Sequence, residues 1–202
     1  MKQVSYRVLV LVGVLIAAQA MTDHAQAEGR SAEPRAPKNI DATPPLIPIP
    51  NARVTKDGLL IGGQPTLEQL EAIRDAGYRV VVTLRPESER GDEGEQAKVE
   101  RLGMKFVSIP VPGAAGLTEA NARALGKTLS EPDALPAVVH CSTGQRVSAL
   151  LGLKAFVVDR VSAAAAIDLA KGLGMKKFEA ALRERIAEIC KTDKSRNCKG
   201  IQ

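Results

Sequence analysis

Four short apolar runs punctuate this chain: LLI at residues 59–61, RVVVTL at 79–84, KFVSI at 105–109 and AVVH at 137–140. Polar or glycine-containing loops follow them, and helically spaced apolar residues fill the intervals. Alternation of this kind dictates a mostly parallel sheet with crossover helices. The expected fold class is therefore α/β: a central, mostly parallel sheet of about four to five strands flanked by helices, with a helical C-terminal part. In such sheets a ligand sits beyond the carboxyl ends of the strands. The loops at 62–64, 85–89, 110–116 and 141–146 fall there and should converge.

The helices can be read from their caps. Thr66 should start one, with Gln69 three residues on completing a capping box. Leu67, Leu70 and Ile73 line one face of it, and Gly77 ends it. Residues 85–92 (RPESERGD) read as a polar loop, and a charged helix spans 93–102. Thr118 caps the next helix, with Ala122, Leu125 and Leu129 inward. After residue 140 the pattern is helical only. One helix covers 146–158, Ser162 caps another, and a third covers 177–189 with Phe178, Leu182 and Ile186 on one face.

The ends have a different character. Lys2 and Arg7 precede the apolar run VLVLVGVLIAA (8–18), and Ala18-Gln19-Ala20 and Ala25-Gln26-Ala27 fit small-x-small cleavage sites. Residues 1–27 read as a secretory signal peptide, with a retained anchor as the other reading. The run is shorter than the roughly 20 residues of a comfortable span. Residues 28–50 hold six of the twelve prolines and form an extended linker. A single domain should occupy 51–190, followed by a C-terminal tail at 191–202. The expected location is periplasmic or secreted. There Cys190 and Cys198 could pair, leaving Cys141 over as a candidate reactive thiol.

Net charge is +5 for the full chain and +4 without residues 1–27. That mild excess, with no Trp and few other aromatics, excludes nucleic acid as a partner. His140 is the only histidine beyond the signal segment, so a His-based metal site or a Ser-His-Asp triad has almost nothing to be built from. No metal or cofactor is expected, and no membrane contact beyond the signal peptide or a retained anchor.

The stretch VVHCSTGQRVSALL (138–151) carries the chemistry. A strand ends, the chain turns, and a helix begins. The helix N-terminus has unpaired N–H groups and partial positive charge, both suited to an anion. Gly144 allows the backbone angles that point successive N–H groups inward. Ser142, Thr143, Gly144 and Gln145 would form the anion-binding loop, and Arg146 offers a planar fork for an oxyanion. The same field favours a thiolate at Cys141, a competent nucleophile. Cysteine at a strand end is also often a small buried hydrophobe. His140 is expected to support the loop rather than transfer protons.

Taken together, the blocks IGGQPTLEQL (61–70), GYRVVVTLRPESE (77–89), GMKFVSIPV (103–111) and HCSTGQRVSALLGLKAF (140–156) resemble the bacterial dual-specificity-like tyrosine phosphatase superfamily. More narrowly, the chain is similar to the phosphatase-like domains found alone or fused to beta-lactamase-like hydrolases or NAD kinase. That resemblance implies a tyrosine-phosphatase-like fold, a cysteine-dependent phosphatase-like hydrolase, and catalytic roles for Cys141 and Arg146. Its substrate would be a phosphorylated small molecule or protein.

Two departures qualify the activity. The superfamily spaces Cys and Arg by five residues, whereas here the spacing is Cys-x4-Arg, as in the narrower family. Rhodanese-type sulfurtransferases also use a six-residue loop, so a sulfur donor acting at the same Cys is an alternative. A non-catalytic anion-binding module is another. The phosphatases also bring an Asp from a mobile loop, but residues 110–116 (PVPGAAG) hold no acid. Without one, alkoxide-leaving substrates should be slower by about 10²–10⁴-fold. Glu87 or Glu89 could substitute, or both could be ordinary solvated charges. Arg85, at a strand end, is either a second anion contact or a partner for one of these acids.

Overall fold

The structure, a computed structural model, describes residues 44–90 and 94–201. Residues 1–27, expected to be a signal peptide, and residues 28–43 of the expected linker lie outside them. Five strands form one sheet: β1 (Arg53–Val54), β2 (Leu59–Gly62), β3 (Val80–Thr83), β4 (Lys105–Ser108) and β5 (Ala137–His140). Their order is β1-β2-β5-β3-β4, with β5 central. All pairings are parallel except β1 with β2. The expected α/β fold is thus present. Strand β1 was not foreseen, because a two-residue edge strand carries no period.

Strand residues alternate between two apolar layers, as the period of two requires. Leu59, Ile61, Val80, Val82 and Val139 face one layer, while Leu60, Val81 and Val138 face the other. The second layer is covered by α1 (Leu67–Asp75) and α3 (Glu95–Arg101), through Leu70, Ile73 and Val99. The first is covered by α4 (Glu119–Leu129), α5 (Gln145–Val157), α6 (Ala163–Gly172) and α7 (Glu179–Thr192). Helix α5 is buried on nearly every side, so its sequence shows little amphipathic period. A Cβ on Gly152 would stand 2.8 Å from the Ala166 carbonyl oxygen, so this glycine lets α6 approach closely.

The caps form as the sequence implies. Thr66 and Gln69 make a reciprocal capping box, and Thr118 and Ser162 accept from the amides of Asn121 and Ala165. Two details differ. Leu67 is exposed rather than inward, because the stripe begins at Leu70. The polar loop after β3 contains a one-turn helix, α2 (Glu87–Arg90), too short for any periodic signal.

Both flanks are stitched to the domain. Ile49 is buried, and Tyr78 Oη and Gln69 Nε2 donate to the carbonyls of Pro45 and Pro48. Burial pushes the Tyr78 phenol up to about 12. At the other end Cys190 and Cys198 form a disulfide. Arg196 donates to the Phe156 and Val157 carbonyls and lies 5.6 Å from the Phe156 ring centroid. The carbonyls of Asn197 and Lys199 accept from Ala163 and Ala164, the first amides of α6. Among the described residues, no helix is long and apolar enough to cross a membrane.

Gly62 ends β2, and a Cβ there would fall 2.8 Å from Ile49 side-chain atoms and 2.9 Å from the Pro50 oxygen. Gly62→Ala should therefore destabilise the fold by about 1–3 kcal/mol through overpacking. Gly172, in α6 with open space around it, provides the contrast. Gly172→Ala should be neutral or stabilising by up to about 1 kcal/mol. Urea melts of the two variants test this, and equal effects of the two would contradict it.

Candidate active site

The parallel register brings four loops to one edge. Gly62 and Thr83 both stand beside His140, the last residue of β5, and Thr83 stands beside Ser108. Beyond His140 the chain leaves the sheet alongside the Gly62-Gly63 end of β2. Cys141 N donates to the Gly62 carbonyl at 3.2 Å, and Gly63 bridges Thr143. A Cβ on Gly63 would stand 2.8 Å from the Ser142 oxygen. Gly144 has φ +82°, a left-handed conformation, and caps the start of α5. The strand-loop-helix outline is therefore real, and helix α5 begins one residue before Arg146.

Cys141 is buried, and its Sγ accepts the Gly144 N–H at 3.1 Å. Its sulfur also joins the apolar layer formed around Val139 and Val147. Arg146 is buried as well. Its guanidinium holds the Glu89 carboxylate by two bonds, Nη1 to Oε1 at 3.0 Å and Nη2 to Oε2 at 2.6 Å. Nη1 also donates to the Val111 carbonyl at 3.0 Å, and Nη2 to Ser142 Oγ at 2.9 Å. Ser142 Oγ donates in turn to Glu89 Oε2 at 3.1 Å. Burial acts to discharge Arg146. The bonded Glu89 carboxylate and the nearby Cys141 outweigh it and raise its pKa above the usual arginine value.

Glu89 is held below the ordinary carboxylate range, first by its hydrogen bonds from Arg146, against a smaller opposing effect of burial. It is ionised at neutral pH and acts as the internal counter-ion of the Arg146 fork. Glu87 is exposed in α2, with no side-chain hydrogen bond among the described residues. The 110–116 loop contributes a carbonyl to the site, and Asn121 fastens it by donating to the Pro110 and Gly116 oxygens.

A second tier lies beneath. His140 Nε2 stands 2.9 Å from Glu95 Oε1, both fully or nearly fully buried. Gln64 Nε2 donates to the same oxygen at 2.8 Å, and Gln64 Oε1 accepts from Arg85 Nη1 at 2.6 Å. Arg85 Nη2 donates to the Glu89 carbonyl. Arg85, Gln64, Glu95 and His140 thus form one chain of polar contacts from the loop after β3 to the end of β5, next to Cys141. Burial pushes the Glu95 carboxyl up, but hydrogen bonding and charge from His140, with Gln64, leave it lowered. Glu95 was not singled out in the sequence. The available signal was slight: an acid in the first turn of a helix, which ordinarily reads as a dipole partner.

The remaining loop residues diverge. Thr143 is exposed, and its carbonyl accepts from Asn51 Nδ2 at 3.2 Å. The Gln145 side chain turns away from Cys141: it donates to the Gly174 carbonyl at 2.9 Å and accepts from Lys176 N and Lys177 N at 2.7 and 3.1 Å.

A family model described as DSP-PTPase phosphatase fused to NAD+ kinase matches residues 52–188. Beta-lactamase hydrolase-like proteins of Xylella fastidiosa are 31% identical over 107 residues, which is 51% of this chain and 24% of theirs. The chain thus spans about a quarter of the length of these curated relatives. A candidate phosphatase (DUF442) from Shewanella putrefaciens CN-32 superposes with a TM-score of 0.53 at 25% identity, covering 70% of this chain and 94% of that one. P. aeruginosa TpbA has the same fold, with a TM-score of 0.53 at 16% identity over 68% of this chain and 84% of its own.

The buried tier makes a pH-dependent prediction. A carboxylate with a depressed folded pKa stabilises fully above its unfolded value, about 4.3, and loses that contribution as pH falls through the folded value. Glu95→Gln should cost about 1–3 kcal/mol at pH 7. The deficit should shrink by pH 3. Urea melts at both pH values measure it, and a deficit unchanged between them would overturn the assignment.

Proposed function

The chain belongs to the family described as DSP-PTPase phosphatase fused to NAD+ kinase, and from that membership we propose a cysteine-dependent phosphatase in which Cys141 is the nucleophile. The reading rests above all on one contact. The Cys141 sulfur accepts the Gly144 amide inside a loop closed by a buried, charged Arg146. That contact ties the sulfur to the first turn of α5, so a nucleophile and a loop of amide donors occupy one place.

The thiolate attacks the phosphorus of a phosphate monoester. The S–P bond forms as the ester P–O bond breaks, and the departing oxygen takes a proton from solvent. Water then attacks the phosphocysteine, the P–S bond breaks, and the thiolate returns with release of inorganic phosphate. The loop amides stabilise the equatorial oxygens in both steps, and Arg146 adds its positive charge and its Nε–H, the one donor that its bonds to Glu89, Val111 and Ser142 leave over. Glu89 fixes the Arg146 fork, and Arg85 anchors the backbone that carries Glu89. Because residues 110–116 hold no acid, substrates with a good leaving group suit the site best. The reading extends to an exported protein, supported by the Cys190–Cys198 disulfide.

Wild-type protein should hydrolyse p-nitrophenyl phosphate, and Cys141→Ser should abolish turnover. Arg146→Ala should lower kcat/KM by about 10²–10³-fold. Sulfur transfer at the same residue would appear instead as cyanide-releasable sulfur after thiosulfate treatment, without phosphate release. That pattern would overturn the phosphatase reading.

A further inference from the structure

A cavity of about 300 Å³ adjoins the Cys141 loop, with Thr143 and Gly144 in its wall. Its charged lining consists of Arg53, Lys176 and Lys177, with no acidic residue. None of these three cations has a carboxylate partner among the described residues. A second hollow of similar size shows that this is not the general state of a basic protein. That one is lined by Glu119, Arg185 and Glu188, and its arginine is already committed to Glu188 and to the Leu117 carbonyl.

The cationic wall is fastened to the Cys loop. The Gln145 side chain donates one hydrogen bond to Gly174 and accepts two, from Lys176 N and Lys177 N, and so fixes this backbone. Gly174, at φ +93°, leaves room for Arg53: a Cβ there would stand 2.9 Å from Arg53 Nε. Asn51, a non-glycine residue at φ +55°, ties the segment bearing Arg53 to the Thr143 carbonyl. Two independent chain segments are thus held so that their cations surround one hollow. Uncompensated cations of like sign so arranged repel one another, and a bound anion relieves that repulsion.

We propose that Arg53, Lys176 and Lys177 form a second anion subsite, and that the substrate is a small molecule carrying two phosphoryl groups. One group faces Cys141 and Arg146; the other occupies the cavity. The volume lies at the lower end for ligand sites, enough for a phosphoryl group on a short carbon skeleton. The substrate class rests on the phosphatase reading above, whereas the anion subsite does not.

Two matched pairs of ligands test this: orthophosphate with pyrophosphate, and fructose 6-phosphate with fructose 1,6-bisphosphate. Each is measured as an inhibitor of p-nitrophenyl phosphate turnover and by calorimetry on Cys141→Ser. At least one doubly phosphorylated ligand should bind tenfold or more tightly than its partner. In Arg53→Ala/Lys176→Ala/Lys177→Ala that advantage should fall to within about twofold, with KM for p-nitrophenyl phosphate changed less than twofold. Lys177→Glu alone should reduce it in the same direction, which guards against misfolding of the triple variant. No advantage in the parent protein, or equal loss for singly and doubly phosphorylated ligands, overturns the subsite. Should aryl phosphate turnover be absent while calorimetry shows the advantage, the phosphatase reading fails and the subsite stands.

Discussion

A guanidinium removed from water must be matched by fixed partners, and the arrangement around Arg146 follows from that requirement. Taking a cation out of water costs several kcal/mol unless charge and hydrogen bonds replace the solvent. Here the replacement comes from three loops: Glu89 after β3, the Val111 carbonyl after β4, and Ser142 after β5. Because each loop follows a different strand, the ion pair exists only when the parallel register is correct. The cation therefore reports on the fold as much as it serves the loop.

The sequence carried most of the architecture because its signals were local. Strand β5 and the Thr66, Thr118 and Ser162 caps depend on residues within a few positions of one another. The Cys141 loop was legible for the same reason, since strand, glycine and arginine lie within ten residues. What escaped were the pairings made across the fold. Glu95 and His140 lie 45 positions apart, and Gln64 and Glu95 lie 31 apart. Arg85 and Glu89 were both noticed, but not that Arg85 would hold the Glu89 backbone while its side chain went to Arg146. Local pattern reveals which residues are unusual, whereas tertiary geometry decides which of them meet.

Gln145 illustrates how a position in an anion-binding loop can serve a different end. Its amide group bonds to three backbone groups of the segment between α6 and α7. Side-chain amides offer both a donor and an acceptor, which suits them to such splinting. The loop backbone and the segment beside it are consequently tied together, although 29 residues separate Gln145 from Gly174.

The last residues of the chain deserve a structural rather than an ornamental reading. The Asn197 and Lys199 carbonyls supply hydrogen-bond acceptors that the opening turn of α6 cannot find within itself. Arg196 closes the carbonyl end of α5 in the same manner. A chain shortened to residue 190 would leave two helices with frayed ends, one of them continuous with the Cys141 loop. Trimming what looks like a dispensable terminus would thus reach the Cys141 edge of the sheet by way of the helix that follows that loop.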